Sequence, residues 1–456
     1  MITRIEIDGF KSFKGFKMDF TPLTVIAGTN ASGKSNLFDA ILLLSRLAEV
    51  DLRTAFGEQR GDASELFLKY DDTVSANEIS FAVEMLVDRK VKDNWGGEEE
   101  LKYTRLRYEL KVAQRPNEQG REELFITHES LNAIKKQDDK WIKNIDKEVV
   151  EQWCPKAKMN NDTKFISTKG DSINIANQGK KKNGRSFPAK GVRQSVLGMG
   201  SIQTVDFKHI LAAGEEMRSW KFLQFNPEDL REPTRIEPNL SDVITHSGKN
   251  LAAALFRIKQ DDDYSLVEIS RTLNNFLPEF TEVNVENDKA NKQFIIKLTA
   301  EDGRIFSSRV LSEGTLRLLA LCVLLYDSQH KNLLCFEEPE NGIHPCRIKS
   351  MIDVLKDLTT DFSDNSFSAR QVIVNTHSPV LIGEMLKWTN DIYVSVWFAN
   401  MTTLMTDFEN QKYKIKVTKI VPVKIEQQTF MREFSEQEKQ LSLAEVKNYL
   451  NTTNFN

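Results

Sequence analysis

The chain has 456 residues, enough for two or three domains, and its 40% hydrophobic and 28% charged residues are typical of a globular protein. Its formal net charge of −4 excludes a global basic field, so a nucleic-acid contact would need a local patch. No apolar stretch approaches the ~20 residues of a membrane span, and the N-terminus lacks a signal-peptide pattern. The four cysteines form no C-x-x-C pair. We therefore expect a cytoplasmic location without disulfides, structural zinc or membrane contact.

The N-terminal region predicts a strand, a phosphate-binding loop and a helix in succession. Residues 2–8 and 16–20 read as two strands, and an apolar strand at 23–27 leads into Gly28 to Ser35. These eight residues follow the pattern G-x-x-x-x-G-K-[ST], and a predicted helix at 36–48 follows them. In this context the backbone N–H groups cradle phosphates, Lys34 supplies a positive charge and Ser35 a hydroxyl for Mg²⁺. The sequence therefore predicts a nucleoside triphosphate site.

The middle of the chain predicts an antiparallel β-layer followed by a basic segment. Strand-like runs occur at 78–88, 101–112 and 124–128, separated by charged turns. Residues 156–193 contain ten lysines and arginines against two aspartates, a local charge of +8. We interpret this segment as a mobile surface insertion, with a nucleic-acid contact as the alternative. Beyond it we expect a helix over 196–217, a strand at 220–225 and a loop over 228–247.

Alternating strands and helices return between residues 310 and 377, which predicts a mainly parallel sheet. Its first buried strand, 332–337, ends in two acids. Carboxylates at this edge face the ligand crevice of α/β sheets, so we expect Glu337 to hold Mg²⁺ and Glu338 to activate water. A second strand, 371–375, is followed by His377, which would sense the γ-phosphate from a neighbouring strand tip. The alternatives are a strand ending in solvated acids and a structural histidine.

Ser312 precedes a strongly apolar helix, and Gly314 lies in its first turn. Ordinary helix capping explains this arrangement. The same helix N-terminus is also a second anion site. One chain cannot easily bring two such helix ends to one γ-phosphate, whereas two chains packed head-to-tail can.

These motifs, in order, resemble the ABC-type ATPases of the SMC/RecF/OLD group. The segments that carry the resemblance are Ile5 with Phe10 and Phe13, GTNASGKSN at 28–36, LSEGTLRLLAL at 311–321, CFEEPENGIHP at 335–345 and NTHSP at 375–379. The resemblance implies an α/β fold: an ABC-ATPase head with an N-terminal antiparallel β-layer, a mixed or parallel sheet carrying the phosphate-binding loop, and a middle α/β insertion. The expected domains are residues 1–90, 91–247, 248–390 and a small extension, 391–456.

The same resemblance assigns roles to the site. ATP and Mg²⁺ are the expected cofactors, Glu338 and His377 the catalytic residues, and Ser35 and Glu337 the metal ligands. Ser312 and Gly314 would reach the nucleotide of a second copy, while Gln59 is a weak candidate for coupling the lobes. The expected nucleotide-binding residues are Asn30, Ser32, Gly33, Lys34, Ser35 and Asn36.

For function, the resemblance implies an ATPase that dimerises head-to-tail on ATP and controls a separate effector, a nuclease, in bacterial anti-phage defence. The tail after His377 shows no acidic set typical of a built-in nuclease, and a closing helix is predicted near 437–450. The main alternative is a RecF-like DNA-binding clamp in repair. A small-molecule kinase is a third class, against which the 311–316 segment and His377 argue. Lys412, Lys414 and Lys416 alternate along one strand and either touch DNA or protect a sheet edge.

Overall fold

The structure, a computed structural model, describes residues 1–116, 122–155, 163–176, 184–189, 192–238, 240–363, 368–388 and 391–423. Two large sheets organise it, one wholly antiparallel and one mainly parallel. The predicted α/β class, with an antiparallel layer beside a mainly parallel sheet, is confirmed. The predicted closing helix at 437–450 lies outside the described residues.

The antiparallel sheet has eight strands in the order β11-β10-β9-β8-β7-β4-β1-β2. Its strands alternate between buried and outward side chains: in β7, Leu106, Tyr108 and Leu110 are buried, while Arg107 and Glu109 are more exposed. The strands are β1 Ile2–Asp8, β2 Phe16–Asp19, β4 Glu78–Leu86, β7 Arg105–Pro116, β8 Glu122–Ala133, β9 Lys164–Lys169, β10 Ser172–Ile175 and β11 Arg185–Pro188.

This sheet corrects the interpretation of the basic segment 156–193 as a mobile insertion. The described parts of that segment form β9, β10 and β11, and they pair in register with the rest of the sheet. Phe165, Ile166 and Ile173 are buried in the main core, so these strands have a hydrophobic face that the charge count obscured. Lys180, Lys181 and Lys182 lie outside the described residues.

The second sheet has six strands in the order β12-β17-β18-β3-β19-β20. The first five run parallel, and β20 returns antiparallel to β19. The strands are β12 Lys221–Leu223, β17 Leu333–Glu337, β18 Gln371–Thr376, β3 Leu23–Ala27, β19 Val394–Phe408 and β20 Gln411–Pro422. The predicted union of distant segments in one sheet is confirmed, because β3 pairs directly with β18.

Two smaller sheets complete the strands. In one, β14 pairs along one edge of β15, and β13 and β16 pair with the other edge; the other is the hairpin β5–β6. The predicted loop over 228–247 is therefore partly wrong, since it contains β13 and a short helix. The strands are β5 Lys90–Lys92, β6 Glu98–Glu100, β13 Thr234–Arg235, β14 Phe280–Asp288, β15 Gln293–Ala300 and β16 Ile305–Ser307.

The helices cover the parallel sheet on both faces. Those described are α1 Lys34–Leu47, α2 Leu52–Gly57, α3 Lys147–Trp153, α4 Lys208–Arg218, α5 Pro227–Arg231, α6 Leu251–Asp261, α7 Asp263–Phe276, α8 Glu313–Tyr326, α9 Ile348–Asp357 and α10 Pro379–Met385. The helix predicted over 196–217 begins only at Lys208, because Gly198 and Gly200 lie among short 3₁₀ turns. Within the described residues, no helix is long and apolar enough to cross a membrane.

The core positions the phosphate-binding loop between the two sheets. In β3, Ile26 packs into the core that α1 shares with the antiparallel sheet, while Val25 and Ala27 face the core formed by α6 to α10. A strand buried on both faces reads as a continuous apolar run, as β3 does. The loop that follows β3 is therefore held by a strand at the centre of the molecule.

Candidate active site

The phosphate-binding loop has a backbone that depends on its glycines. Gly33 lies at φ +86° just before α1, and a Cβ there would fall 1.8 Å from Thr418 Oγ1. A Cβ on Gly28, at the start of the loop, would fall 2.5 Å from the backbone oxygen of Ala399. The first turn of α1 has no intrahelical partners for its N–H groups, which makes it an anion site. The loop is thus shaped to bind phosphate.

Lys34 lies at the centre of this loop. Its Nζ donates hydrogen bonds to the backbone oxygens of Gly28 and Thr29, each at 2.8 Å. Burial lowers the pKa of Lys34, and the carboxylate of Glu338 is the strongest opposing influence. The Ser32 hydroxyl is buried in the same loop and has no hydrogen-bond partner among the described residues. A phosphate oxygen would satisfy both groups.

The remaining nucleotide-binding candidates lie around the loop. Ser35 is half-buried in the first turn of α1, and Asn30 is exposed at the loop tip. Asn36 Nδ2 donates to Ser12 Oγ at 2.7 Å, and Ser12 Oγ lies 2.6 Å from Thr418 Oγ1. The turn between β1 and β2 is therefore tied to α1 through Asn36.

Strand β17 delivers the predicted pair of acids to the edge of the sheet. Glu337 ends the strand with a half-buried side chain, and its register partner on β18 is Asn375. Glu338 has a left-handed backbone, φ +47°, and its N–H donates to the Asn375 oxygen at 2.8 Å. A non-glycine residue in this region is strained, and such strain concentrates at functional sites. The kink turns the Glu338 side chain away from the strand direction.

Glu338 and His377 form the predicted contact between neighbouring strand tips. The ring Nδ1 of His377 lies 2.6 Å from Glu338 Oε1. Asn341 Nδ2 donates to the other carboxylate oxygen at 2.8 Å. Both side chains of the Glu338–His377 pair remain partly accessible, at 33% and 42%. An oriented, accessible carboxylate next to a phosphate loop is a suitable general base.

Glu340 is a site residue to which the sequence reasoning gave no role. It is 7% exposed, and its carboxylate accepts a hydrogen bond from Thr376 Oγ1. Thr376 Oγ1 in turn accepts from the N–H of Ser378, at 2.9 Å. Burial raises the pKa of Glu340 above its ordinary value. Glu340 therefore fixes the turn that carries His377, and its place in the EEPE motif was the only signal for it.

A charged network beside α1 was also missed. Lys11 Nζ lies 2.7 Å from Asp39 Oδ2, and the guanidinium of Arg60 lies 4.0 Å from Asp39 and 3.8 Å from Glu337. The predicted coupling residue Gln59 is instead buried, and its Nε2 reaches only Ala55 O at 3.5 Å. Arg60, its neighbour in sequence, is the side chain that approaches the acids.

The signature segment, residues 311–316, is exposed at its tip. Ser312 caps α8, accepting from the Thr315 N–H at 3.2 Å. A Cβ on Gly314 would fall 2.5 Å from the backbone oxygen of Gly342, so the segment packs on the loop after β17. Across the described chain, no hydrogen bond or ion pair connects Ser312 to the phosphate-binding loop. The strand tips that carry Glu337, Glu338 and His377 thus lie beside the strand that leads into the phosphate-binding loop, while no hydrogen bond among the described residues joins Gln59 or Ser312 to them.

The site fits a magnesium–triphosphate complex. Mg²⁺ is usually held by one or two protein oxygens together with phosphate oxygens and water. Ser35 at the start of α1 and Glu337 at the end of β17 offer such oxygens. The unpartnered Ser32 hydroxyl and the Lys34 ammonium account for phosphate binding. ATP and Mg²⁺ therefore suit the residues that are present.

Solved structures that resemble this chain include three SMC heads. One is the SMC head bound to the C-winged helix domain of ScpA (15% identity, 93% of this chain and 98% of that chain, TM-score 0.46). Another is the SMC head with an extended coiled coil bound to the C-terminal domain of ScpA from Pyrococcus furiosus (13%, 98% and 99%, 0.46). The third is the SMC head domain from Thermotoga maritima (13%, 93% and 99%, 0.37).

Family comparison gives a direct assignment. No curated protein matches the chain at a significant level. The model of the AAA ATPase domain matches residues 1–382, which include the phosphate-binding loop, the signature segment and both strand tips. This chain belongs to the AAA ATPase domain family.

Proposed function

We propose that this protein hydrolyses ATP, with Glu338 as general base and His377 as the residue that orients it. The observation that carries the proposal is the 2.6 Å contact between the two side chains, at strand tips next to Lys34. The Coulombic influence of Glu338 on Lys34 places that carboxylate close to the ammonium. A structural acid–histidine pair would not need to face a phosphate loop.

The chain supplies the chemistry as follows. Lys34 and the α1 N-terminus bind the β- and γ-phosphates, and Glu338 accepts a proton from the attacking water. Asn341 and His377 hold the two oxygens of Glu338 in fixed directions. Mg²⁺, when bound through Ser35 and Glu337, neutralises charge on the phosphates.

The proposal includes a head-to-tail dimer that forms on ATP. Ser312 is exposed and Gly314 lies in the same helix N-terminus, a second anion site that no hydrogen bond of the described residues joins to the phosphate-binding loop. In a head-to-tail pair, the segment of one copy would complete the site of the other.

We place this ATPase in bacterial anti-phage defence, controlling a separate nuclease effector. The support is the resemblance to stand-alone ATPase subunits of two-component systems. Co-purification with the products of neighbouring genes tests it. A nuclease in the complex supports the assignment, and the lack of any nuclease or toxin partner together with the lack of a phage phenotype contradicts it.

ATP hydrolysis is tested directly by phosphate release from the purified chain with Mg²⁺. Lys34→Ala should lower ATP affinity by about a hundredfold, because charge-assisted hydrogen bonds to phosphate are lost. Lys349→Ala, an exposed lysine on α9, is the matched control and should bind normally. Equal binding by Lys34→Ala and wild type would contradict the site.

A RecF-like DNA clamp is the second candidate. The exposed basic side chains of β9 and β11, Lys164, Lys169 and Arg185, favour it. It predicts ATP-dependent duplex binding that weakens steeply with salt, and a shallower salt slope when these three residues become alanine. Duplex binding whose affinity changes with neither salt nor ATP would exclude the DNA clamp.

A further inference from the structure

The outer face of the β19–β20 hairpin carries methionines and lysines that no role yet explains. Strand alternation puts Met401 and Met405 on the same face as Lys412, Lys414 and Lys416. Met405 is 63% and Met401 38% exposed, and all three lysines are exposed. The opposite face packs on the segment that precedes β4, where Ile415 and Val417 meet Leu68 and Tyr70. We call the exposed side, residues 401, 405, 412, 414 and 416, the hairpin face.

One end of the hairpin face reaches the phosphate-binding loop. Thr418, opposite Met401 in register, fills the space beside Gly33 and donates to Met401 Sδ at 3.4 Å. Its N–H also donates to the Ser12 backbone oxygen, at 2.9 Å. Met401 is therefore separated from the loop by one side chain. Lys416 is two residues from Thr418, about 7 Å along the strand, while Lys412 is about 20 Å away.

The order of the sheet gives the bound nucleotide a direction. β3, which carries the loop, lies between β18 and β19. The acids and His377 are at the tips of β17 and β18, so the γ-phosphate belongs on that side. The nucleoside then extends from the loop toward the opposite side, where β19 and β20 lie.

We propose that Met401 and Lys416 form the subsite for the nucleoside part of the bound triphosphate. This proposal rests on the proposed ATPase function. The thioether of Met401 would contact the base, because polarizable sulfur packs well against aromatic rings. Lys416, which has no carboxylate partner in the described part of the chain, would donate to the ribose hydroxyls. In this arrangement the loop binds the phosphates, and the hairpin recognises the nucleoside that is attached to them.

Titration calorimetry with two probes, Mg²⁺–ATP and Mg²⁺–tripolyphosphate, tests the subsite. Lys416→Ala should weaken ATP binding about tenfold and Met401→Ala about fivefold. Neither variant should change tripolyphosphate binding, since that probe has no nucleoside. Met405→Ala and Lys412→Ala, farther along the same face, are matched controls and should bind both probes as wild type does. Thermal melting should be the same in all four variants.

Each other outcome overturns the proposal in a recognisable way. If Met401→Ala and Lys416→Ala bind ATP normally, the nucleoside lies elsewhere. If they weaken both probes equally, the hairpin shapes the loop rather than reading the nucleoside. If they change self-association instead of affinity, the hairpin face is an interface between copies. If wild type binds neither probe, the proposed ATPase function fails as well, which separates that failure from the others.

Discussion

The tips of β17 and β18 and the signature segment both carry polar groups suited to the proposed ATP chemistry, yet they differ in how those groups are hydrogen-bonded. At the strand tips, Glu338, His377 and Asn341 bond to one another across two strands. In the signature segment, the Ser312 side chain bonds, among the described residues, within the first turn of its own helix. The first region is assembled by one chain, and the second presents a helix N-terminus to the outside.

Under the proposed function, this difference means that one chain supplies the groups for nucleotide binding and deprotonation, while the helix N-terminus at Ser312 serves a second copy. Predictions for the two regions therefore diverge. Changes at the strand tips should act within a single copy, whereas changes in the signature segment should act on the neighbouring copy.

The largest expected effect on ATP turnover is at Glu338, the proposed general base. Glu338→Gln should lower ATP turnover by about a hundredfold or more, because the amide cannot accept the proton, while ATP affinity is preserved. Single-turnover phosphate release and nucleotide binding measure the two quantities. Asn341→Ala, which removes one orienting hydrogen bond, is the milder comparison. Normal turnover by Glu338→Gln would show that another group is the base.

The next effect distinguishes the signature segment from the tips. Ser312→Asp keeps a good helix cap but places a carboxylate where a partner's γ-phosphate is expected. ATP-dependent dimerisation, followed by size-exclusion chromatography with light scattering, should be lost, and ATP binding to the monomer should remain. Ser312→Thr, which keeps a hydroxyl cap, should still dimerise. Dimerisation by Ser312→Asp as efficient as wild type would remove the segment from the interface.

A smaller effect tests the support beneath His377. Glu340→Ala should reduce turnover about tenfold by releasing Thr376, and Glu340→Gln should largely restore it because the amide oxygen still accepts the hydroxyl. ATP affinity should stay unchanged in both. Equal loss in the alanine and glutamine variants would show that the charge of Glu340, rather than its hydrogen bond, is what matters.

The smallest effect concerns the far end of α1. Glu129, on β8, accepts hydrogen bonds from the Val196 N–H, and Ser195 Oγ donates to the Leu47 oxygen at the end of α1. Burial raises the pKa of Glu129 from 4.5 to about 7. The Glu129 carboxyl therefore binds its proton more tightly in the folded state than in the unfolded state. Its contribution to the free energy of unfolding is fully present below pH ~4.5 and is lost as the pH rises through ~7.

The loss across this window should be on the order of 3 kcal/mol in the free energy of unfolding. Chemical denaturation gives the free energy of unfolding of wild type and of Glu129→Gln at several pH values. The loss appears as a difference between the slopes of the two plots of free energy against pH. The difference should vanish above pH ~8. A glutamine variant with the same pH dependence as wild type would contradict the assignment.

Part of the site was predictable because its residues are contiguous or end apolar strands. The loop from Gly28 to Ser35, and the acids after β17, carry their chemistry in local patterns. The pairing of Thr418 with Gly33 and of Glu340 with Thr376 depends on contacts between distant segments, which no local pattern encodes. The left-handed backbone of Glu338 is likewise set by the Asn375 oxygen on another strand.

The elements of the fold divide in the same way, into those that local patterns predict and those that depend on contacts between distant segments. Periodicity predicted the β–α alternation from 310 to 377, since this pattern is local. Strands β9 to β11 were not predicted from the sequence, because most of their residues are polar or charged and only a few apolar side chains are buried. Lys412, Lys414 and Lys416 lie on one strand, β20, as predicted, but the contact of the β19–β20 hairpin with the loop was not predicted.

The most direct test of the central claim mixes two inactive variants, Lys34→Ala and Ser312→Asp. If each site combines the loop of one copy with the signature segment of another, a mixed pair contains one intact site. Because neither variant is expected to pair with itself on ATP, mixing equal amounts should form mixed pairs and restore up to about half of wild-type ATP turnover. If each chain completes its own site, the mixture will stay as inactive as its components, and that result would contradict the account.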